Sequence, residues 1–175
     1  MGTDEVERAD LPTRVVHTLR DRGLTVATCE SLTAGLVAAT LAEVPGASAV
    51  LRGGLVTYAT ELKSTLAGVD AALLARVGAV DPEVAQQMAA GAARVCGADL
   101  GIACTGVAGP DPQDGKPVGL VYLGLARGAT THVREITLAG GREAIRRATA
   151  AQLLGMLEES LAAARPRIST RPGFR

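Results

Sequence analysis

Aromatic residues are scarce in this sequence. Its 175 residues include one Phe, two Tyr and no Trp. Hydrophobic residues still make up 47% of the chain, so the core must be packed with Ala, Val, Leu and Ile. A chain of this length fits one domain and is long enough to bury a proper core.

An excess of charge of either sign is also absent, because 18 Lys and Arg residues balance 18 Asp and Glu residues. A dedicated nucleic-acid-binding protein shows a basic excess or a basic face, so we expect no nucleic-acid partner. No apolar run approaches the roughly 20 residues of a membrane helix, and the acidic N-terminus has no signal-peptide pattern. We therefore expect a cytoplasmic protein with no membrane partner.

Cysteine and histidine are too few and too scattered for most metal or redox sites. The three cysteines, Cys29, Cys96 and Cys104, are odd in number and lack CxxC spacing, so we expect no structural disulfide. His17 and His132 match no metal spacing and are expected at the surface or in structural roles. The sequence therefore predicts no metal, no cofactor and no histidine-dependent catalytic triad.

Strand-like and helix-like segments alternate along the chain, which favours an α/β fold, a three-layer α/β/α sandwich with a mixed, mainly parallel sheet. The predicted strands are Leu24–Cys29, Val50–Tyr58, Asp99–Thr105, Val118–Ala126 and Thr131–Leu138, the last two forming an antiparallel hairpin. Helices are predicted from Asp10 to Gly23 and over Thr33–Glu43, Glu61–Leu66, Ala71–Arg76, Pro82–Val95 and Arg142–Ala163. We expect one domain over 10–164, a flexible N-terminus over 1–9 and a basic flexible tail over 165–175.

Ser31 lies where a predicted strand gives way to a predicted helix, within Cys29–Gly35. Backbone N–H groups at a helix start lack intrahelical partners and favour negative charge. Ser31 is therefore a candidate nucleophile or anion-binding residue. The alternative is an ordinary N-cap serine.

Tyr58 and Lys63 form a second candidate pair after the second strand. A lysine acts as a general base only if burial or a neighbouring cation lowers its pKa toward neutrality. An alanine-rich pocket could supply that burial. The alternatives are a solvated helical lysine beside Glu61 and a tyrosine with an ordinary hydrogen-bonded hydroxyl.

Thr105 and Gly106 end the third strand and open a glycine-rich loop, where backbone amides can approach an anion closely. The nearby Gly115-Lys116 pair does not make a P-loop, because five residues separate Gly109 from Gly115 and Pro117 replaces the required Ser or Thr. Arg142 opens the last helix and is a candidate phosphate ligand. The following Arg146 and Arg147 are expected on a solvated face.

These stretches together resemble the CinA C-terminal domain family, which includes the nicotinamide-nucleotide amidases. The resemblance lies in Glu30–Gly35, Arg52–Lys63, Gly78–Asp81, Thr105–Pro110 and Gly140–Arg142, and it covers residues 10 to 163. The chain departs from the family pattern at Leu32 (usually Cys), Ala34 (Gly), Thr60 (Asn), Gly141 (Asp) and the 112–114 loop. These departures bear on substrate fit and rate more than on Ser31 and Lys63.

The resemblance implies an anticodon-binding-domain-like sandwich that hydrolyses the carboxamide of nicotinamide mononucleotide, a step of pyridine-nucleotide salvage. Ser31, Lys63 and Tyr58 would be catalytic. The substrate-binding positions would be Glu30, Thr33, Gly35, Thr105, Gly106 and Arg142, the last at the 5′-phosphate. It also implies a standalone form of the family and a homodimer whose ligand is a small-molecule nucleotide.

Two other functions stay open at the level of the sequence. The chain could be an amidase that acts on another small amide, since the departures from the pattern lie near the expected site. It could instead be a non-enzymatic partner protein related to competence or DNA damage, a role that the family name suggests. Retention of Ser31, Tyr58 and Lys63 weighs against a catalytically silent relative.

Overall fold

The computed structural model describes residues 10–163, so the predicted flexible ends over 1–9 and 165–175 lie outside the described residues. The strands are β1 (Val26–Glu30), β2 (Leu51–Val56), β3 (Leu100–Gly106), β4 (Leu120–Arg127) and β5 (Thr130–Thr137). The helices are α1 (Leu11–Asp21), α2 (Leu36–Ala42), α3 (Thr60–Thr65), α4 (Ala71–Val77), α5 (Pro82–Cys96) and α6 (Arg142–Ala163). A short 3₁₀ turn spans Ala47–Ala49.

The strands form one mixed sheet in the order β2-β1-β3-β4-β5. β1 pairs in parallel with β2 and with β3, whereas β4 runs antiparallel to both of its neighbours. Four strands therefore point in one direction, and the predicted hairpin of the last two strands is confirmed. The carboxyl ends of β1, β2 and β3 meet at one edge of the sheet, which is where open α/β sheets usually bind their ligands.

Helices cover both faces of the sheet, so the predicted three-layer α/β/α sandwich is confirmed. α1, α2 and α6 pack on one face over a core of branched aliphatic side chains such as Val16, Leu41 and Leu153. α4 and α5 pack on the other face, where half of the buried residues of the core are alanine. Because the side chains of this second core are small, α5 lies close to the sheet, and no aromatic side chains are needed to fill the space between them.

The helix after Ser31 begins later than the sequence predicts, at Leu36 instead of Thr33. Residues 31–35 form a turn in which Ala34 and Gly35 adopt left-handed backbone angles, with φ of 51° and 95°. A left-handed residue interrupts a right-handed helix, so the helix cannot start before this pair. Ser31 is consequently held on a turn between β1 and α2.

Candidate active site

The turn that carries Ser31 is held in place by the buried carboxylate of Glu30. Glu30 Oε2 accepts from the backbone N–H groups of Gly35 and Val37, both at 3.0 Å. Its Oε1 accepts from Ala38 N–H at 2.9 Å and from the Thr28 hydroxyl at 3.1 Å. These bonds satisfy the first amides of α2, and the negative charge lies at the positive end of the helix dipole.

The Glu30 carboxylate therefore occupies the anion-binding position at the start of α2, where the sequence suggests that an external anion could bind. The oxyanion donors expected at this helix start are not available at Gly35, Val37 and Ala38, because the Glu30 carboxylate already accepts from all three. Any backbone donor for Ser31 chemistry must come from the turn itself.

Lys63 lies directly against Ser31, although 32 positions separate them in the sequence. Its Nζ donates to Ser31 Oγ at 3.0 Å and to the backbone carbonyl of Thr57 at 2.7 Å. α3 points the lysine inward, so the side chain is fully buried, while Ser31 retains 9% exposure. The structure thus brings the two predicted residues together with one hydroxyl face open to the outside.

Burial lowers the pKa of Lys63 below its ordinary value of 10.5, because desolvation disfavours the charged ammonium. Nearby thiolates or the Glu61 carboxylate would act in the opposite direction. However, burial raises the pKa of Cys29 to about 11 and that of Cys104 to about 12, so both thiols are neutral near pH 7. Lys63 therefore has no thiolate counter-ion at that pH, and the desolvation that disfavours its charged form is not offset by these thiols.

A small polar cavity of about 100 Å³ opens at Ser31. Of the predicted site residues, Ser31, Tyr58, Thr105, Gly106 and Arg142 lie on its wall. Its volume is below the roughly 300 Å³ of a typical small-ligand pocket, so only the reacting end of a substrate fits inside. The rest of a ligand would lie over the exposed rim.

Arg142 and Tyr58 form that rim. Arg142 Nη2 donates to the Tyr58 hydroxyl at 2.5 Å, and its Nη1 donates to the Gly109 carbonyl at 2.8 Å. Tyr58 is 54% exposed, and its hydroxyl contacts Arg142 and not Ser31 or Lys63. The structure therefore groups Tyr58 with Arg142 at the cavity mouth, and its predicted part in proton transfer stays a prediction.

Three predicted substrate-binding residues do not lie on the cavity wall. Gly35 donates its backbone N–H to the Glu30 carboxylate, as described above. The Thr33 hydroxyl is buried against the Cys104 thiol, with 3.1 Å between Oγ1 and Sγ. Substrate contacts at these positions stay predictions, and the contacts present in the structure instead stabilise the Ser31 turn.

Thr105 lies on the cavity wall and also braces it. Its hydroxyl donates to the Ala79 carbonyl at 2.6 Å, which ties the Gly78–Asp81 segment to the end of β3. The hydroxyl oxygen keeps a lone pair that a ligand can use. Gly106 follows, where a Cβ atom would approach the Leu120 carbonyl to 2.6 Å, so only glycine fits between β3 and β4 there.

Arg146 is a functional candidate that sequence reasoning missed. Its Nε donates to the Leu32 carbonyl and its Nη2 to the Thr33 carbonyl, both at 2.9 Å. The expected solvated position is therefore wrong for Arg146, which reaches across to the Ser31 turn. It is right for Arg147, which is exposed and pairs with Glu143 at 2.9 Å. The two adjacent arginines look alike in sequence, so only the packing of α6 separates them.

Neither histidine takes part in the site. His17 and His132 are both exposed, as predicted for surface residues. A larger groove of about 620 Å³ lies by His132, between the β4–β5 hairpin and the end of α6. Within residues 10–163, no group of three or more His, Cys, Asp or Glu side chains could hold a metal ion. No helix of that same stretch is long and apolar enough to cross a membrane.

The fold and the site together define an α/β/α domain in which a serine beside a buried lysine opens into a polar cavity. Residues 8–161 match the model of the family described as "CinA C-terminal domain". The chain belongs to this CinA C-terminal domain family, as its sequence motifs indicate.

Curated relatives and solved structures agree with this assignment. A CinA-like protein of Geobacter sulfurreducens is 49% identical over 152 residues, which are 86% of this chain and 37% of that protein. A CinA-like protein of Frankia casuarinae is 47% identical over 148 residues, 85% of this chain and 34% of that protein. The chain therefore spans just over a third of the length of these curated relatives.

Two crystal structures of the superfamily share the fold over most of their length. A competence-damaged protein (CinA) superfamily protein of Klebsiella pneumoniae has a TM-score of 0.85 at 33% identity, covering 88% of this chain and 97% of that chain. The competence/damage inducible protein CihA of Agrobacterium tumefaciens has a TM-score of 0.82 at 39% identity, covering 87% and 93%.

Proposed function

We propose that this chain is an amidase that hydrolyses the carboxamide of nicotinamide mononucleotide to nicotinate mononucleotide and ammonia. The observation that carries the proposal is the 3.0 Å contact between Lys63 Nζ and Ser31 Oγ, made by a fully buried lysine whose pKa burial lowers. A serine is a weak nucleophile until a neighbouring base takes its proton, and a neutral lysine is such a base.

In the first half of the reaction, Ser31 Oγ bonds to the carboxamide carbon while its proton moves to Lys63 Nζ. The tetrahedral intermediate collapses, the C–N bond breaks, and Lys63 returns the proton to the leaving amine, which departs as ammonia. The Thr57 carbonyl accepts one N–H of the amine and so keeps Nζ beside Ser31, where the lone pair of the neutral amine can accept the Ser31 proton.

In the second half, water attacks the acyl group on Ser31 and Lys63 again accepts a proton. The bond between the acyl carbon and Ser31 Oγ breaks, Lys63 returns the proton to Oγ, and the carboxylic acid leaves. Tyr58 is available at the cavity mouth to orient the ligand, while Thr105 and Gly106 would position the carboxamide from the cavity wall.

The choice of a nucleotide rests on the family resemblance and is supported by the rim of the cavity. Arg142 is exposed at the mouth, where its guanidinium can meet a phosphate outside the small cavity. A nicotinamide ring inserted toward Ser31 would leave its ribose 5′-phosphate on this side. The homodimer and the small-molecule partner stay predictions of the same resemblance.

The deciding experiment measures ammonia release from nicotinamide mononucleotide, without added metal, by wild type, Ser31→Ala and Lys63→Ala. Wild type should release ammonia, and each substitution should abolish release above a trace, because nucleophile and base act as a unit. Ser48→Ala, at an exposed serine in the 3₁₀ turn, is the matched control and should retain full activity.

Two results would contradict the proposal in different ways. Full activity of Ser31→Ala would exclude the serine mechanism. A folded wild-type protein that releases ammonia from other amides but not from this nucleotide would exclude the substrate and retain the mechanism. A protein that hydrolyses no amide of a panel with and without a phosphate would favour the partner-protein alternative.

A further inference from the structure

Two backbone amides beside Ser31 have no acceptor among the described residues. Along residues 32–38, the Ala34 amide donates to the Ser31 carbonyl and the Leu36 amide to the Thr33 carbonyl. The Gly35, Val37 and Ala38 amides donate to the Glu30 carboxylate. Only the Leu32 and Thr33 amides of this run lack a partner within residues 10–163.

Arg146 fixes the peptides that carry the turn from the opposite side. Its forked guanidinium donates to two successive carbonyls, those of Leu32 and Thr33. In a planar trans peptide the C=O of one residue and the N–H of the next point in opposite directions. With the Leu32 carbonyl on Arg146, the Thr33 N–H must point away from α6.

The next peptide, between Thr33 and Ala34, shows which group an N–H pointing away from Arg146 can reach. The Thr33 carbonyl also lies on Arg146, and the N–H of the same peptide, that of Ala34, reaches the Ser31 carbonyl at 3.1 Å. The N–H of this peptide therefore lies on the Ser31 side of the turn. Leu32 itself lies on the cavity wall beside Ser31.

We propose that Arg146 is a positioning residue for the oxyanion formed when Ser31 attacks a carbonyl carbon: it aims the Thr33 N–H directly through the Leu32 carbonyl, and it holds the Leu32 N–H indirectly, through the Ala34 N–H bond to the Ser31 carbonyl. Arg146 has no acidic partner among the described residues, so its charge polarises only these peptide carbonyls and strengthens the N–H donors of the turn. This inference rests on the proposed acyl transfer by Ser31, but not on the identity of the substrate.

This role requires a side chain that binds the Leu32 and Thr33 carbonyls at the same time. Lysine at this position would keep the positive charge, but a single ammonium cannot present the rigid fork that holds both carbonyls. Arg147, one residue further along α6, offers a matched control because it is exposed and, among residues 10–163, pairs only with Glu143 on its own helix.

The test follows acetylation of Ser31 by p-nitrophenyl acetate, measured as the p-nitrophenol burst and as acetyl mass on the Ser31 peptide. Arg146→Ala should slow the burst by about 100-fold, the cost of a misplaced catalytic group. Arg146→Lys should recover part of that loss, and Arg147→Ala should match wild type. With nicotinamide mononucleotide, Arg146→Ala should lower kcat and leave KM nearly unchanged.

A second measurement does not depend on turnover. Phenylboronic acid forms a tetrahedral anion on a serine hydroxyl, so its affinity should fall in Arg146→Ala by about the same factor as the burst rate. Full activity and full boronate affinity in folded Arg146→Ala would overturn the inference. So would complete recovery in Arg146→Lys, because charge alone would then explain the effect.

The outcomes separate this inference from the proposed function. Acetylation of Ser31 that depends on Arg146, without ammonia release from the nucleotide, would support the positioning role and contradict the substrate. A wild-type protein whose Ser31 is never acetylated would overturn both. If Arg146→Ala fails to fold, the comparison of Arg146→Lys with Arg147→Lys decides, and equal burst rates in those two variants would overturn the inference.

Discussion

At the scale of single residues, the burial of Lys63 lowers the free energy of unfolding and, in the proposed mechanism, prepares the lysine to act as a base. The unfolded chain binds a proton at Lys63 up to the ordinary pKa of 10.5, whereas burial lowers this pKa in the folded state. Between the two values the unfolded state holds more protons, so the free energy of unfolding rises with pH through that window. Within this window folding expels the proton, and below it folding buries the charged ammonium.

Lys63→Met should therefore increase the free energy of unfolding most at neutral pH. The gain over wild type should shrink as the pH rises toward 10.5, where the unfolded lysine also becomes neutral. Urea unfolding at a series of pH values measures the difference. Lys116→Met, in the loop between β3 and β4, subtracts the general effect of exchanging lysine for methionine.

A difference that stays constant or grows with pH would mean that the folded protein keeps Lys63 protonated. Lys63 could not then act as a general base, and the proposed mechanism would lose its second member.

The sequence identified Ser31 and Lys63 as candidates, but it could not predict their contact. They lie on different elements, and their distance depends on the parallel pairing of β1 with β2 and on the inward face of α3. The roles of Glu30 and Arg146 were missed for a related reason. Each acts on backbone groups of a turn, and hydrophobic periodicity carries no signal for such contacts.

At the scale of elements, the close packing of α5 depends on glycines. A Cβ atom at Gly91 of α5 would come within 1.9 Å of the Ala67 carbonyl oxygen. On the sheet, Cβ atoms at Gly101 and Gly124 would come within 1.9 Å and 2.2 Å of carbonyl oxygens of α5. These contacts are with backbone, which cannot swing aside as a long side chain can. Backbone segments therefore approach each other closely in this core, and few aromatic side chains are needed to fill it.

Gly91→Ala and Gly155→Ala should consequently have opposite effects. Both glycines lie inside helices, but nothing lies within 4 Å of a Cβ at Gly155 in α6. Gly155→Ala should stabilise the protein by about 1 kcal/mol, the usual helix-propensity gain. Gly91→Ala should destabilise it by about 1–3 kcal/mol through overpacking.

Urea unfolding midpoints of the two variants, with unchanged m-values, measure this contrast. Equal stabilisation by both substitutions would show that α5 can move away from Ala67 at no cost, which the packing of the second core excludes.

Element types and order could be predicted well from the sequence, because turn residues and caps mark their ends. Asp81 accepts from Glu83 N–H at 2.8 Å and starts α5 as expected, and Gly97 ends it with φ of 61°. The start of α2 was wrong because the left-handed angles at Ala34 and Gly35 depend on the bonds to Glu30. The sheet order depends on long-range pairing and was not predicted.

At the scale of the whole molecule, the candidate site is attached to the most deeply buried strands. β1 and β3 have partners on both edges, and all residues of β1 and all but the last of β3 are buried. β2 and β5 are edge strands with alternating exposure. Ser31 and Thr105 therefore lie at the ends of rigid elements, whereas Tyr58 follows an edge strand.

Hydrogen exchange should reproduce this order. Amides of β1 and β3 should exchange only through global opening, and those of β2 and β5 should exchange faster through local opening. Mass spectrometry of deuterated peptides measures both. Exchange in β1 as fast as in β5 would contradict the central place of β1 in the sheet.

The burial of Lys63 has a practical consequence for labelling. The chain has only two lysines, and of these two Lys116 is the one that an acylating dye can reach, since Lys63 has no exposed surface. Lys116 and Gln113 exchange two backbone hydrogen bonds, and Gln113 lies on the cavity wall. A dye that reacts at Lys116 would therefore sit beside the cavity mouth and leave Lys63 unmodified, so its fluorescence would report the arrival of a ligand.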